Sequence, residues 1–174
     1  MESTNHKFII ERKIMAVDMF MKLDSIPGES KDKVHTKEID VLAWSWGMSN
    51  SGSAHVGGGV GCGKVNVQDL SFTKYVDSSS PKLMLNCCNG QHIPTALLTV
   101  RKAGGNAVEY IKIKLETVLI SALTSGGAGN EDRLVENVTL NFAKVSVDYT
   151  PQKDDGSAGT AIPFAWDIAA NNKD

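Results

Sequence analysis

The strongest constraint on the fold of this chain is an alternation of apolar and polar residues that repeats every two positions. In the first such segment Val17, Met19, Met21 and Leu23 fall on one side. Successive side chains of a β-strand point to opposite faces, so this period is typical of strands. The pattern recurs between turn-forming residues and predicts seven or more strands, in the segments 15–23, 39–48, 64–76, 95–102, 107–123, 136–149 and 162–168.

Two of these segments change phase part-way along. Val65 and Val67 fall on one face, whereas Leu70 and Phe72 fall on the other, and the same change occurs within 136–149. A one-residue shift is what a β-bulge produces, and bulged long strands favour a strongly bent sheet. The residues therefore predict a mainly β fold, either a small barrel or a sandwich.

One helix is predicted, from Ser80 to about Cys88. Ser79 or Ser80 can cap its start, a proline suits its first turn, and Asn89-Gly90 can end it. We assign residues 15–174 to a single domain. Residues 1–14 are polar and of mixed charge, and are predicted to be an extension outside the core.

Composition excludes several classes of function. The net charge of −2 gives the chain no overall attraction to nucleic acid or to an anionic membrane. No apolar run is long enough to cross a bilayer, and the first residues lack the apolar region of a signal peptide. An odd number of cysteines, two of them adjacent, argues against a disulfide framework. We expect no membrane insertion and a cytoplasmic origin.

The sequence offers no persuasive catalytic or cofactor motif. Gly58 to Lys64 matches the GxxxxGK pattern of a phosphate-binding loop, but Val65 follows where Ser or Thr is needed, and a helix is not predicted after it. Cys88 and His92 could suggest thiol catalysis, but no orienting partner is evident. Metal-ligand spacings are also missing. We therefore predict that the chain is not an enzyme and binds no cofactor or metal.

Two other features attract attention. In the second predicted strand the residues Ala43, Ser45 and Gly47 form a small face, opposite the bulky Trp44 and Trp46. The tryptophans are expected in the core or at a subunit interface. The strand leads into a Gly- and Ser-rich stretch at 50–63 that has no apolar periodicity, and long loops in compact domains tend to be functional.

These segments together resemble the Hcp (haemolysin-coregulated protein) family of type VI secretion. The resemblance spans most of residues 15–156 and is carried by the ordered motifs IDVLAWSWGMSNSGS, GKVNVQDLSFTKYVD, LTVRKAGG and ENVTLNFAKVSVDYTPQKDDG. It implies a barrel of two sheets with one helix against it. It also implies a homohexameric ring that stacks into a hollow tube, with a sheath, a spike protein and small effector proteins as partners, and export by the machine itself.

The resemblance gives the candidate residues expected roles. Ala43, Ser45 and Gly47 are expected to line the lumen and contact effectors. The glycine-rich loop is expected to make the contact between stacked rings, through Ser53, His55, Gly57, Gly58, Gly59 and Cys62. Two alternatives remain open: a small β-barrel that binds a ligand in an enclosed apolar pocket, and an Hcp protein with a fused effector domain, for which the residues after the barrel are few.

Overall fold

The computed structural model describes residues 17–51, 64–102 and 107–173. Within these ranges the chain forms ten strands and one helix. In chain order they are β1 (Val17–Leu23), β2 (Ile39–Ser45), β3 (Met48–Ser49), β4 (Asn66–Val67), β5 (Leu70–Tyr75), α1 (Ser80–Asn89), β6 (Ile93–Lys102), β7 (Glu109–Gly126), β8 (Val135–Asn141), β9 (Lys144–Tyr149) and β10 (Ile162–Asp167).

Six strands close into a barrel. The order β7-β6-β1-β2-β5-β8 is completed by antiparallel pairing of β8 with β7, which joins the two ends. β9 and β10 extend the sheet outward from the first half of β7, and β3 pairs with β4 in a separate two-stranded hairpin. The mainly β class, the barrel and the single short helix are thus confirmed.

The barrel turns its corners within two strands that each belong to two sheets. β7 pairs with β9 up to Glu116 and with β8 from Leu119 onward. Between these stretches Thr117 has a φ of 54°, which is unusual for a β-branched residue and reverses the phase of the strand. β2 changes partner from β1 to β5, with an irregularity between Val41 and Ala43.

The phase changes predicted as bulges have a different origin. The segment 64–76 is two strands, because the chain leaves the hairpin after Val67 and enters the barrel at Leu70. The segment 136–149 is likewise split between β8 and β9, at Phe142 and Ala143. The prediction of one continuous bulged strand was wrong in both places. Each break separates strands that lie in different parts of the sheet system, and this partition could not be read from the period.

The alternation along β7 is broken at one point. An unbroken period of two would put Leu119 and Leu123 on the buried face of Ile113, but the turn at Thr117 puts Val118 and Ile120 into the core instead. Leu119 and Leu123 remain half-buried. The segment AGGN at 103–106, whose glycines favour a hairpin turn, lies outside the described residues.

Helix α1 has the predicted position but not the predicted cap. Gly90, at φ 67°, ends the helix in the left-handed conformation that glycine adopts readily. Neither serine caps its start. The Ser79 hydroxyl donates to Asp77 Oδ1 at 2.5 Å, and the Ser80 hydroxyl donates to Glu136 Oε2 at 2.6 Å. Leu83 points from the helix into the core.

Candidate functional site

One exposed face of the barrel is built almost entirely from small uncharged side chains. It lies on β2, β5, β8 and the second half of β7, which pair side by side. The register places two rows of aligned residues across these strands: Ser45, Ser71, Thr139 and Ala122 in one, and Ala43, Thr73, Asn137 and Thr124 in the other. We call these eight residues the small-residue face. None of the eight carries a charge.

Hydrogen bonds between side chains link neighbouring strands of this face. The hydroxyls of Ser71 and Thr139 lie 3.0 Å apart, and the Thr73 hydroxyl donates to Asn137 Oδ1 at 2.7 Å. Such cross-strand pairs fix the rotamers of neighbouring residues. The eight residues thus present hydroxyl, amide and methyl groups and no bulky or ionised side chain; the Asp69 carboxylate, which accepts hydrogen bonds from Ser121 and Asn141, borders them.

The opposite side of the same strands is the hydrophobic core. Phe72, Val138 and Leu140 are buried directly beneath the small-residue face. Successive residues of these strands therefore point to opposite sides, one into the core and the next to the outer face, as the alternation of a strand requires. The face is supported by a packed interior and has a fixed shape.

The two predicted tryptophans lie half-buried against this core. Trp44 pairs in register with Phe72. The Trp46 indole N–H donates to the Gln68 carbonyl at 3.0 Å, and its ring lies 6.3 Å from that of Phe142. Trp46 thereby ties the end of β2 to the start of β5.

The predicted small face of the second strand is only partly continuous. Ala43 and Ser45 are exposed as members of the small-residue face, whereas Gly47 lies beyond the strand, beside the Gln68 side chain. An unbroken period of two would put Ile39 and Val41 on the same face as Ala43, but they are buried in the core. The irregularity after Val41 reverses the alternation and separates the two groups.

The remaining members of the small-residue face were not predicted. Ser71 and Thr73 alternate with Leu70 and Phe72 in the sequence, so their outward direction was readable. Their alignment with Ser45 and Ala43 was not, because it depends on the register between strands. The six predicted loop residues, Ser53, His55, Gly57, Gly58, Gly59 and Cys62, lie outside the described residues.

A buried ion pair supports one end of this sheet. Lys74 Nζ lies 2.9 Å from Glu136 Oε2 and 2.9 Å from Asp77 Oδ1, and the side chains of Lys74 and Glu136 are wholly shielded from solvent. Burial opposes ionisation of Glu136, but hydrogen bonds from Ser80, Lys74 and Ser125 outweigh it and lower the pKa of this carboxyl. Because Ser80 begins α1, the pair fastens the helix to β5 and β8.

A second cluster anchors the loop between β1 and β2. The Arg101 guanidinium donates to both carboxylate oxygens of Asp32, at 2.6 and 3.2 Å, and to Asp18 at 3.0 Å. It also lies over the Phe20 ring, whose centroid is 4.2 Å from that of His35. The hydrogen bond from Arg101, helped by the backbone N–H groups of Val34 and His35, holds the pKa of Asp32 well below its ordinary value.

The described residues give the phosphate-loop pattern no structural support. After Lys64 the chain enters strand β4 rather than a helix, so no helix N-terminus is available to face a phosphate there. Within ranges 17–51, 64–102 and 107–173, His, Cys, Asp and Glu side chains form no group of three that could hold a metal ion. Cys88 and His92 both lie exposed on the surface.

The sequence profile described as "Type VI secretion system effector, Hcp" matches residues 20–149, about three quarters of the chain. The chain belongs to the Hcp family. It is 64% identical over 159 residues to "Protein hcp1" of Pseudomonas aeruginosa, covering 90% of this chain and 98% of that protein. The matched family is one of type VI secretion, as the resemblance of the motifs implied.

Solved Hcp structures share the fold. Hcp1 from Salmonella typhimurium is 35% identical, with a TM-score of 0.78 over 92% of this chain and all of that one. A second structure, described as a type six secretion system protein, is 33% identical with a TM-score of 0.87, over 91% of this chain and all of the other. In the part of this Hcp chain that the structure describes, no helix is long and apolar enough to cross a membrane.

Proposed function

We propose that this Hcp chain is the subunit of the inner tube of a type VI secretion system. Six copies form a ring, the rings stack into a hollow tube, and small effector proteins are held in the lumen. The sheath and the spike protein are its other partners. The chain is made in the cytoplasm, leaves through the machine itself, and acts without catalysis.

The observation that carries this proposal is the small-residue face. A tube wall must let cargo pass, so a lumen needs side chains that are short, uncharged and fixed in position. Two rows of such residues cross four strands, with Ser45 and Ala43 at one end and Ala122 and Thr124 at the other. Hydroxyl and amide groups give cargo weak, exchangeable contacts rather than a tight site.

The filled interior of the barrel argues against the alternative of a ligand-binding module. Such a protein needs an enclosed apolar pocket. Here the interior positions are occupied by completely or almost completely buried side chains, among them Met21, Phe72, Leu98 and Ile113. The space that a ligand would require is taken up by the protein's own core.

Size-exclusion chromatography with light scattering tests the ring directly. We expect a mass of six times the 18.7 kDa of one chain, and rings with a central hole in negative-stain images. A monomer that retains a small molecule through purification would contradict the proposal and favour the ligand-binding alternative.

The lumen assignment has its own test in Ser45→Gln. A longer side chain projecting into the lumen should reduce the amount of effector that copurifies with the ring, while the ring itself stays intact. Ser78→Gln makes the same change at an exposed position before α1, away from the small-residue face, and should leave effector retention unchanged. If the unmodified protein, Ser45→Gln and Ser78→Gln all form intact rings and retain equal amounts of effector, the lumen assignment is wrong.

A further inference from the structure

His35 is a buried ionisable side chain that contacts two carboxylates. Its side chain is 7% exposed, and it lies in the loop between β1 and β2, residues 24–38. The Nδ1 atom lies 2.9 Å from Glu38 Oε2, and the Nε2 atom lies 3.2 Å from Glu109 Oε1. The ring is stacked on that of Phe20 with the two planes 13° apart, and this stack fixes the direction in which both nitrogens point.

The two carboxylates come from different parts of the fold. Glu38 is the last residue of the β1–β2 loop, whereas Glu109 is the first residue of β7. Burial opposes ionisation of Glu109, but a hydrogen bond from Lys112 and the charges of Lys112 and His35 outweigh it and lower the pKa of this carboxyl. The imidazole therefore joins two parts of the chain that both present a carboxylate to it.

The number of protons on the ring decides how many of these contacts it can make. A neutral imidazole has one N–H donor and one unprotonated nitrogen, whereas the imidazolium has two N–H donors. Neutral His35 can donate to Glu38 or to Glu109, and its other nitrogen then directs a lone pair at a carboxylate. The Nε2 atom makes no hydrogen bond of good geometry among the described residues, so its contact with Glu109 depends on the charge of the ring.

Charged groups approach His35 from every neighbouring element. The loop itself supplies Asp32, which accepts the His35 backbone N–H at 3.1 Å, and β2 supplies Asp40, which pairs in register with Phe20. The remaining charged groups are Asp18 and Lys22 on β1, Lys37 in the loop, Arg101 on β6 and Lys112 on β7.

The cations in this set do not replace the proton of His35. Arg101 and Lys112 already pair with carboxylates. Lys22 and Lys37 are exposed, and solvent and salt screen exposed charges. Of the described groups, Glu38 and Glu109 are the ones that contact the ring nitrogens, and both favour the protonated ring.

We propose that His35 makes the β1–β2 loop sensitive to pH. With both nitrogens protonated, the ring bridges Glu38 and Glu109 and holds the loop against β7. When the ring loses one proton, the contact with Glu109 is lost and residues 33–38 open more often. Histidine is the side chain whose charge changes between about pH 5 and pH 8, so the loop responds in that range.

Opening of this loop changes an exposed surface. Val34, which the loop carries, is 70% exposed. The loop also forms one wall of a cleft of about 400 Å³, which Lys22, Lys37 and Glu38 line together with apolar residues. Because Glu38 both lines the cleft and contacts His35, protonation of His35 fixes the shape of the cleft, and loss of the proton makes that wall mobile.

Hydrogen exchange measured at several pH values tests this inference on the full chain. After correction for the intrinsic effect of pH on exchange, the amides of residues 33–38 should lose about tenfold of their protection between about pH 5 and pH 8, as expected when one charge-assisted hydrogen bond is lost. Strand β8 lies two strands away from β2, and as the internal reference it should keep its protection.

Three variants separate His35 from the other titrating groups. His35→Gln keeps a side chain that can donate a hydrogen bond but cannot gain a charge, so the pH-dependent step should disappear. Glu109→Gln keeps the shape of the carboxyl group without its charge and should reduce the step. His92→Gln is the matched control, because His92 is exposed between α1 and β6, and it should show the full step.

NMR spectra of isotopically labelled histidine side chains follow the protonation of His35 directly. Its midpoint should coincide with that of the step in exchange. A step that persists in folded His35→Gln overturns the inference, and so does protection that stays constant while His35 titrates. A ring whose protonation does not change between about pH 5 and pH 8 also overturns it. Circular dichroism establishes that each variant is folded, and Glu109→Gln decides the question if His35→Gln does not fold.

Discussion

The ammonium group of Lys74 lies 2.9 Å from the carboxylate of Glu136, and neither side chain is exposed to solvent. The pair joins β5 to β8 beneath α1, with the Ser80 hydroxyl bonded to both groups. A buried pair contributes little net stability compared with an apolar replacement, but it is costly to break. Its effect on this protein is therefore to fix one arrangement of helix and sheet.

Removing one member of this pair should destabilise the fold strongly. We expect Lys74→Met to lower the free energy of unfolding by about 3–5 kcal/mol, because it leaves the Glu136 carboxylate buried without its partner charge. Urea unfolding at one fixed protein concentration measures the loss, since assembly also contributes to stability. The double variant Lys74→Met/Glu136→Leu should recover much of it.

The control for this prediction is an exposed pair. Lys112 lies 2.7 Å from Glu109 and is 45% exposed, so Lys112→Met should cost less than about 1 kcal/mol. If Lys74→Met costs no more than Lys112→Met, the buried pair does not act as described.

Gly28 should tolerate no side chain. A Cβ there would lie 2.5 Å from the Glu38 carbonyl oxygen and 2.7 Å from the Ile39 Cα, both backbone atoms. Gly28→Ala must push the two segments apart and should destabilise the protein by about 1–3 kcal/mol, as overpacking does. Gly129→Ala is the control, because nothing lies within 4 Å of the added carbon. Thermal unfolding should separate the two variants clearly.

Asp32 should contribute to the dependence of stability on pH. Its pKa in the folded protein is lowered by the hydrogen bond from Arg101, so the unfolded chain binds the proton more readily. The contribution of Asp32 is fully present above its unfolded pKa of about 3.9 and is lost as pH falls through the lower folded pKa. The melting temperature of Asp32→Asn should therefore lie below that of the unmodified protein at pH 7, with the gap closing below about pH 4.

The exposed residue Asp154 provides the comparison for this pH series. Asp154→Asn removes a carboxylate that holds no loop in place, so its melting temperature should follow that of the unmodified protein throughout. If the melting temperature of Asp32→Asn stays below that of the unmodified protein by the same amount down to pH 3, the variant loses stability through packing and not through charge.

Shortening the glycine-rich loop should separate ring formation from ring stacking. Deleting residues 53–61 removes most of the segment between β3 and β4, and the barrel strands before and after it keep their own pairing. We expect hexamers to persist in light scattering while long tubes become rarer in electron micrographs. Tubes of unchanged length would show that the loop does not make the stacking contact.

The sequence alone was sufficient to predict the class of fold, but not the positions at which the barrel strands bend. The period of two identified the strands, and the signals at Pro81 and Gly90 located α1. The left-handed turn at Thr117 left no mark in the pattern, because nothing in a β-branched residue predicts a positive φ. That one residue decides that Val118 and Ile120 are buried, whereas an unbroken alternation would bury Leu119 in their place.

The candidate site was predictable only in part for a related reason. Ala43 and Ser45 could be singled out because small residues alternate with tryptophans in one strand. Nothing in the sequence singled out Lys74 and Glu136, because alternation does not reveal that two charges 62 residues apart neutralise each other in the core. The small-residue face exists only once four strands have found their register.

The most direct test of the central claim is a cryo-electron microscopy map of the purified chain. The account predicts a ring of six copies with the small-residue face turned toward the central hole, so that Ser45, Thr73 and Thr139 line it. A ring whose central hole is lined by α1, or particles that contain a single copy, would contradict it.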